Sequence, residues 1–299
     1  WLAAATSYSA HDVPMLPFYV FYSCFGFQRI GDLVWAAADS RARGFLLGAT
    51  AGRTTLSGEG LQHEDGSSHL LFSTVPNCVA YDPAYGYEVV TIIQDGMRRM
   101  LERQEDVFFY VTIMNETYPQ PAMPNDNEEG ILRGMYHLRQ STVKKPMATA
   151  QLLGSGTILR EVLAAAELLE SDWQVDCNVW SVTSFTELRR DGIAIERENR
   201  FNPEREPKQS WVERCLNDTS GPVIASTDYL RSVADLIRNW VPRRYVALGT
   251  DGFGRSDTRA ALRHFFEVDR HHVVIATVKA LADDGSVDRK VVSDAIHKY

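Results

Sequence analysis

The sequence predicts an α/β protein of two successive units, each a mainly parallel sheet flanked by helices. Three observations carry this expectation. The chain has 299 residues, enough for two domains of roughly 150 each. Short apolar runs of strand length alternate with segments of helical period along most of it. One proline- and asparagine-rich break, Tyr118 to Gly130, interrupts the alternation with Pro119, Pro121, Pro124 and the run Asn125 to Glu129.

Taken in order, Met15 to Tyr22 has the length and composition of a strand, and Phe27 to Ala38 has a helical period. Gly44 to Ser68 carries Gly48, Gly52, Gly58, Gly60 and Gly66, a density that predicts loop in place of helix or central strand. Asn77 to Ala80 reads as a short strand, Asp82-Pro83 as a turn, Tyr85 to Arg103 as a helix and Val107 to Thr112 as a strong strand. The first unit is thus expected over residues 1–117, a linker over 118–146 and the second unit over 147–299. In that second unit Thr149 to Leu153 is a strand, Gly154-Ser155-Gly156 a turn, and Thr157 to Glu170 a helix capped by Thr157 with Leu159, Val162, Leu163, Ala166 and Leu169 on one face. Strands follow at Val175–Val182, Val223–Ala225 and Tyr245–Leu248, with a helix carrying Leu230, Val233, Ile237 and Trp240 between the last two. Helices over 257–265, 269–282 and 288–297 finish the chain.

Composition narrows the function classes. Apolar residues make up 44% and charged residues 23%, which excludes a disordered or collagen-like chain. With 31 basic against 39 acidic side chains the net charge is −8, which argues against a nucleic-acid binder. No run of apolar residues is long enough for a membrane span, so no membrane partner is expected. Cys24, Cys78, Cys177 and Cys215 have neither zinc-ribbon nor disulfide-framework spacing, and free thiols in a cytoplasmic setting are expected. Asn115-Glu116-Thr117 and Asn217-Asp218-Thr219 match a glycosylation acceptor, a pattern too short to weigh. The chain opens at Trp1 directly in an apolar run, which reads as the inside of a domain and hence as a fragment.

Several places could carry chemistry. Gly154-Ser155-Gly156, between strand and helix, is placed like a phosphate-binding turn, but Leu159 stands where the third glycine belongs, so a plain turn is the stronger reading. Gly58 to His69 packs His63 and His69, the carboxylates Glu59, Glu64 and Asp65, and three glycines into twelve residues. A proton-handling loop and a solvated polar loop are equally open there, and no metal-ligand spacing supports a metal site. Tyr19, Phe21, Tyr22, Phe25 and Phe27 crowd the end of a predicted strand, where ligands of open α/β sheets bind, although such aromatics more often belong to a core. His271 and His272 are neighbours, point about 100° apart on a helix, and are expected to be structural.

Phe25 to Asp32, Gly52 to Leu56, Gly58 to Gly66, Tyr81 to Tyr85, Pro121 to Pro124, Ser181 to Leu188, Ser226 to Tyr229 and Gly249 to Asp257 together resemble one family. It is the homodimeric, acetyl-transferring pyruvate dehydrogenase component of bacterial pyruvate dehydrogenase complexes, and the resemblance runs over essentially all 299 residues. Glu64-Asp65-Gly66 followed by His69 is similar, more distantly, to the related loop of transketolases. The resemblance implies two transketolase-like domains, the first of them the later part of a pyrimidine-binding middle domain and therefore incomplete. It implies oxidative decarboxylation of pyruvate with thiamine diphosphate and Mg²⁺, a homodimer, and acetyl transfer to a lipoyl-bearing dihydrolipoyl acyltransferase core.

Of the site residues, it assigns Phe25 to stacking on the aminopyrimidine, Tyr22 to cofactor and substrate contact, His63 to substrate contact and proton transfer, and His69 to substrate contact. It gives this chain no metal ligand, because the diphosphate and Mg²⁺ are held by an N-terminal domain of the family. The chain alone is therefore expected to bind the cofactor weakly and to leave pyruvate unconverted. Transketolase-type two-carbon transfer and a non-catalytic dimerisation module are the competing readings.

Overall fold

A computed structural model describes residues 1–299, and it holds two sheets, each with its own core. Two short helices, α1 (Leu2–Ala5) and α2 (Ser7–Ala10), lead into β1 (Phe18–Phe21), α3 (Ser23–Asp39) and β2 (Phe45–Ala49). Then come α4 (Ser68–Ser73), β3 (Cys78–Tyr81), α5 (Gly86–Met97) and β4 (Phe108–Ile113). The four strands form a wholly parallel sheet in the order β1-β2-β4-β3. Its central strand β4 is buried along Phe108–Thr112, as expected of a parallel strand covered on both faces.

The second sheet follows α6 (Glu128–Arg133) and is made of β5 (Met135–Arg139), β6 (Ala148–Gly154), β7 (Val175–Val182), β8 (Val223–Ser226) and β9 (Tyr245–Leu248). Its order is β5-β7-β6-β8-β9, parallel except for the antiparallel edge strand β5. Around it lie α7 (Leu159–Trp173), α8 (Phe185–Phe201), α9 (Trp211–Leu216), α10 (Arg231–Ala234), α11 (Arg259–Phe265), α12 (Arg270–Asp283) and α13 (Arg289–Lys298). Leu152, Leu159, Val162, Leu169, Val274 and Leu281 pack one face of this sheet, and Leu153, Val182, Leu188, Val223, Ile237 and Trp240 the other. The α/β class and the mainly parallel sheets are as expected.

Four expectations are corrected. The glycine-rich stretch does contain a central strand, β2, because Phe45-Leu46-Leu47 is apolar and Gly48 sits where the Tyr110 side chain crosses the strand. A Cβ at Gly48 would lie 2.3 Å from the Tyr110 hydroxyl, so the glycine belongs to the packing of the strand. The stretch 118–146, expected as linker, carries α6 and β5. Thr157 sits in a 3₁₀ turn and makes no cap; its hydroxyl pairs with that of Thr55 across the two units. Leu230 to Trp240 is a short α10 continued as a 3₁₀ helix, while α8, a polar helix that went unpredicted, is capped by Ser184 accepting from the Glu187 N–H at 3.0 Å.

At the outer edge of the first sheet, β1 leaves Phe18, Tyr19 and Val20 51%, 48% and 59% exposed. Beside it a wholly apolar cavity of about 290 Å³ is lined by Trp1, Tyr19, Ile30, Leu33 and Leu46 among others.

Candidate active site

Tyr22, Phe25 and His63 come together at the C-terminal end of the first sheet. Tyr22 follows β1 directly and takes the N-cap position of α3; Phe25 lies in the first turn of that helix, its N–H donating to the Tyr22 carbonyl at 3.1 Å. His63 closes a 3₁₀ turn, Leu61–His63, in the glycine-rich loop after β2. The His63 ring stands edge-on to Phe25 at 4.8 Å and to Tyr22 at 5.5 Å between centroids. Tyr22 is 58% exposed, Phe25 half-buried, and the Arg29 guanidinium lies 4.2 Å from the Phe25 ring centre. A ring for stacking, a phenol donor and an imidazole thus face one another at the sheet end where α/β proteins hold ligands.

The loop that carries His63 is gripped from the second unit. Glu64 accepts the Arg255 N–H at 2.6 Å, and the Gly58 N–H donates to the Asp257 carbonyl at 3.0 Å. Arg53, buried in the same loop region, donates to the carbonyls of Thr250 and Gly252. Asp228 is fully buried and accepts four hydrogen bonds, from both the N–H and the hydroxyl of Thr54 and of Thr55. Gly254 is required by this closeness, since a Cβ there would lie 2.5 Å from the Leu61 carbonyl. Asp65 turns inward to accept the N–H groups of Ser67 and Ser68, both at 3.0 Å. Two units therefore hold one loop, and the loop holds His63.

Burial sets the charge states behind the site. It pushes Glu64 up to about 7, against the opposing pull of the Arg255 N–H and the Arg53 charge. It pushes Asp82 up to about 7 as well, although Thr112 and Tyr229 hydrogen-bond it. Glu64 Oε1, Asp65 Oδ2 and Asp82 Oδ2 are buried without a hydrogen-bond partner.

His69 does not join the aromatic group. It is 3% exposed, its Nε2 is 3.3 Å from the Thr112 hydroxyl, and its ring packs edge-on to Tyr229 at 4.7 Å. Burial drives its imidazole down to about 3, so it is neutral. The turn Gly154-Ser155-Gly156 is likewise closed in: it is buried, the Gly156 N–H donates to the Asp82 carbonyl at 3.2 Å, and Ser155 pairs with Thr227.

Tyr22, Phe25 and His63 stand out in the sequence, and Glu64 as one of three carboxylates in the His63 loop, whereas Arg29, Arg53 and Asp228 carry no role there. The only signal for Arg53 and Asp228 was a charged residue inside a motif of the resemblance, and the groups that Arg53, Glu64 and Asp228 pair with lie on the other unit.

Residues 1–121 match the family described as the pyruvate dehydrogenase E1 component middle domain, and residues 134–269 match the transketolase-like TK C-terminal domain. Over its whole length the chain is 64% identical to the pyruvate dehydrogenase E1 component of Pseudomonas aeruginosa and 56% identical to that of Escherichia coli, covering 34% of each. It thus spans about one third of the length of these relatives. Among solved structures, a transketolase from Campylobacter jejuni superposes with a TM-score of 0.67 at 18% identity, over 93% of this chain and 38% of that one, which shows a shared fold. From identity along the whole of this chain to one third of these relatives, and from the two domain matches along it, the chain belongs to the pyruvate dehydrogenase E1 component family.

Proposed function

We propose that this chain supplies the pyrimidine-facing wall and the C-terminal domain of a thiamine diphosphate-dependent enzyme. The enzyme decarboxylates pyruvate oxidatively and passes the acetyl group to the lipoyl group of a dihydrolipoyl acyltransferase. The observation that carries the reading is the meeting of Tyr22, Phe25 and His63 at one sheet end in a chain of this family. These residues suit the cofactor: the half-buried Phe25 ring, with the His63 imidazole 4.8 Å away, is a flat apolar partner for an aminopyrimidine.

Thiamine diphosphate, when bound, supplies the nucleophilic carbon and the electron sink that decarboxylation needs. Phe25 would hold its pyrimidine by stacking, and Tyr22, with its exposed hydroxyl, would donate to an oxygen of the substrate. His63 would give or take a proton at that oxygen. The aromatic rings around it would keep water from the carboxylate that is lost as carbon dioxide. His69, being buried and neutral, is better suited to fixing Thr112 and Tyr229 than to touching substrate. The diphosphate and Mg²⁺ would be held by residues outside this chain, in a homodimer. A cytoplasmic setting belongs to the same proposal, supported by four unpaired cysteines. No helix is long and apolar enough to cross a membrane.

The test is His63→Ala in the holoenzyme. Pyruvate turnover should fall by about 10² or more with the melting temperature nearly unchanged, the pattern of a proton-handling loop residue. Near-normal turnover with a large loss of stability would make His63 structural. Turnover of ketose phosphates without turnover of pyruvate would favour the transketolase reading.

A further inference from the structure

We propose that His264, Asp269 and His272 form a binding site for a divalent transition-metal ion of the zinc class, at the corner where α11 meets α12. The three side chains offer ligand atoms that all lie within 4.8 Å of one another. His264 Nδ1 stands 3.2 Å from Asp269 Oδ2, and His272 Nδ1 stands 2.8 Å from Asp269 Oδ1. Tetrahedral coordination with bonds of about 2.0–2.2 Å places donor atoms about 3.3 Å apart, so the trio needs only small side-chain movements to accept an ion. Two imidazoles and one carboxylate are a donor set for zinc and its neighbours rather than for calcium or magnesium.

The charge pattern points the same way. Asp269 makes no ion pair with arginine or lysine; its side chain serves two imidazoles and caps α12 by accepting the His272 N–H at 2.9 Å. The nearby guanidinium groups are engaged elsewhere, Arg263 with Glu116 and Glu161, and Arg270 with Glu161. The cap uses Oδ1, which leaves Oδ2 as the metal donor. On binding, each ring carries its proton on Nε2 and turns the Nδ1 lone pair to the ion, and water takes the fourth position.

The backbone beneath is fixed in advance. Leu262, Phe266 and Val268 are buried in the core of the second unit. The Phe266 N–H donates to the Leu262 carbonyl, and the Val268 N–H to that of Arg263, both at 2.9 Å. A rigid corner holding three converging donors is what a metal site asks of a scaffold. His264 is 70% exposed, so an ion has an open way in. His271 takes no part, because its ring stacks on Tyr299 at 4.9 Å. An ion at this corner would tie α12 to α11, the helix whose Arg259 and Arg263 reach across to the first unit.

Isothermal titration of the full chain with zinc chloride, in a non-coordinating buffer, tests the site. One micromolar site is expected in the unmutated protein. His264→Ala and His272→Ala should each weaken it by about tenfold or more, while His271→Ala leaves it unchanged. A second measurement needs no variant: zinc should protect His264 and His272, and not His271, from diethyl pyrocarbonate as read by mass spectrometry. Equal zinc affinity in the unmutated protein and the His264→Ala/His272→Ala double variant, or equal modification with and without zinc, overturns the proposal.

Discussion

Asp82 accepts hydrogen bonds from Thr112 at 2.7 Å and Tyr229 at 3.1 Å through Oδ1, while its buried Oδ2 has no partner. A carboxyl group in that position is best protonated, with Oδ2 as the hydroxyl, and burial accordingly raises it from 3.8 to about 7. Between those values the folded state holds a proton that the unfolded state has lost, so this group's stabilising contribution is full below about pH 4 and fades as pH rises through about 7. Asp82→Asn keeps the shape and removes the titration. The melting temperature of the variant should therefore rise relative to the unmutated protein between pH 4 and pH 8, measured by thermal denaturation across that range; a constant difference would show that Asp82 stays ionised. Phe25 and His63 stand out as candidates because they lie in contiguous motifs, and Tyr22 because it belongs to the aromatic cluster beside them. The place of His69 was not legible, because the groups that bury it, Thr112 and Tyr229, come from distant segments and leave no mark beside it in the sequence.

β7 and β9 have the bounds expected of them, β7 from apolar residues that alternate with polar ones at its start and β9 from an unbroken apolar run. What failed were elements whose reason lies in a neighbour. β2 carries a glycine that belongs to Tyr110, and β5 lies in a stretch whose flanking prolines suggested only a tether. The polar α8 gave too weak an apolar stripe to be seen, although Phe185 and Leu188 do bury against the second sheet. The account of β2 can be tested at its glycine. Gly48→Ala should destabilise by about 1–3 kcal/mol through overpacking, seen as a lower urea midpoint at unchanged slope. Adding Tyr110→Phe removes the hydroxyl that the new methyl would strike, although it also removes a 2.9 Å bond to Ser68. The pair should be less harmful together than the sum of the two single changes, and strict additivity would refute the clash.

The two units of the molecule are joined by buried polar contacts. Glu116, from the segment after β4, pairs with Arg160 at 2.6 Å and with Arg263 on α11, while Arg259 donates to the Thr55 carbonyl at 2.7 Å. Burial works against the Glu116 charge, but the hydrogen bond and charge of Arg263 outweigh it and hold the carboxyl below its ordinary range. The clasp is therefore intact above the ordinary carboxylate range and loosens only as acid takes the pH down through that lowered value. Removing the acid by Glu116→Ala leaves the buried Arg263 with only its 3.5 Å pairing to Glu161 and should cost about 1–3 kcal/mol. Calorimetry should then resolve two transitions, one per sheet, where the unmutated protein gives one; a single unbroken transition in the variant would mean that apolar contacts alone couple the units.

The bared outer strand of the first sheet gives the chain a definite hazard. Along β1 the free edge presents unpaired N–H and C=O groups beside Phe18, Tyr19 and Val20, with no charged residue in the strand to repel another. A row of that kind is a template on which any extended segment can zip. Left uncovered, β1 makes the first sheet the place where solubility fails first, so concentration rather than temperature sets how long the isolated chain stays in solution.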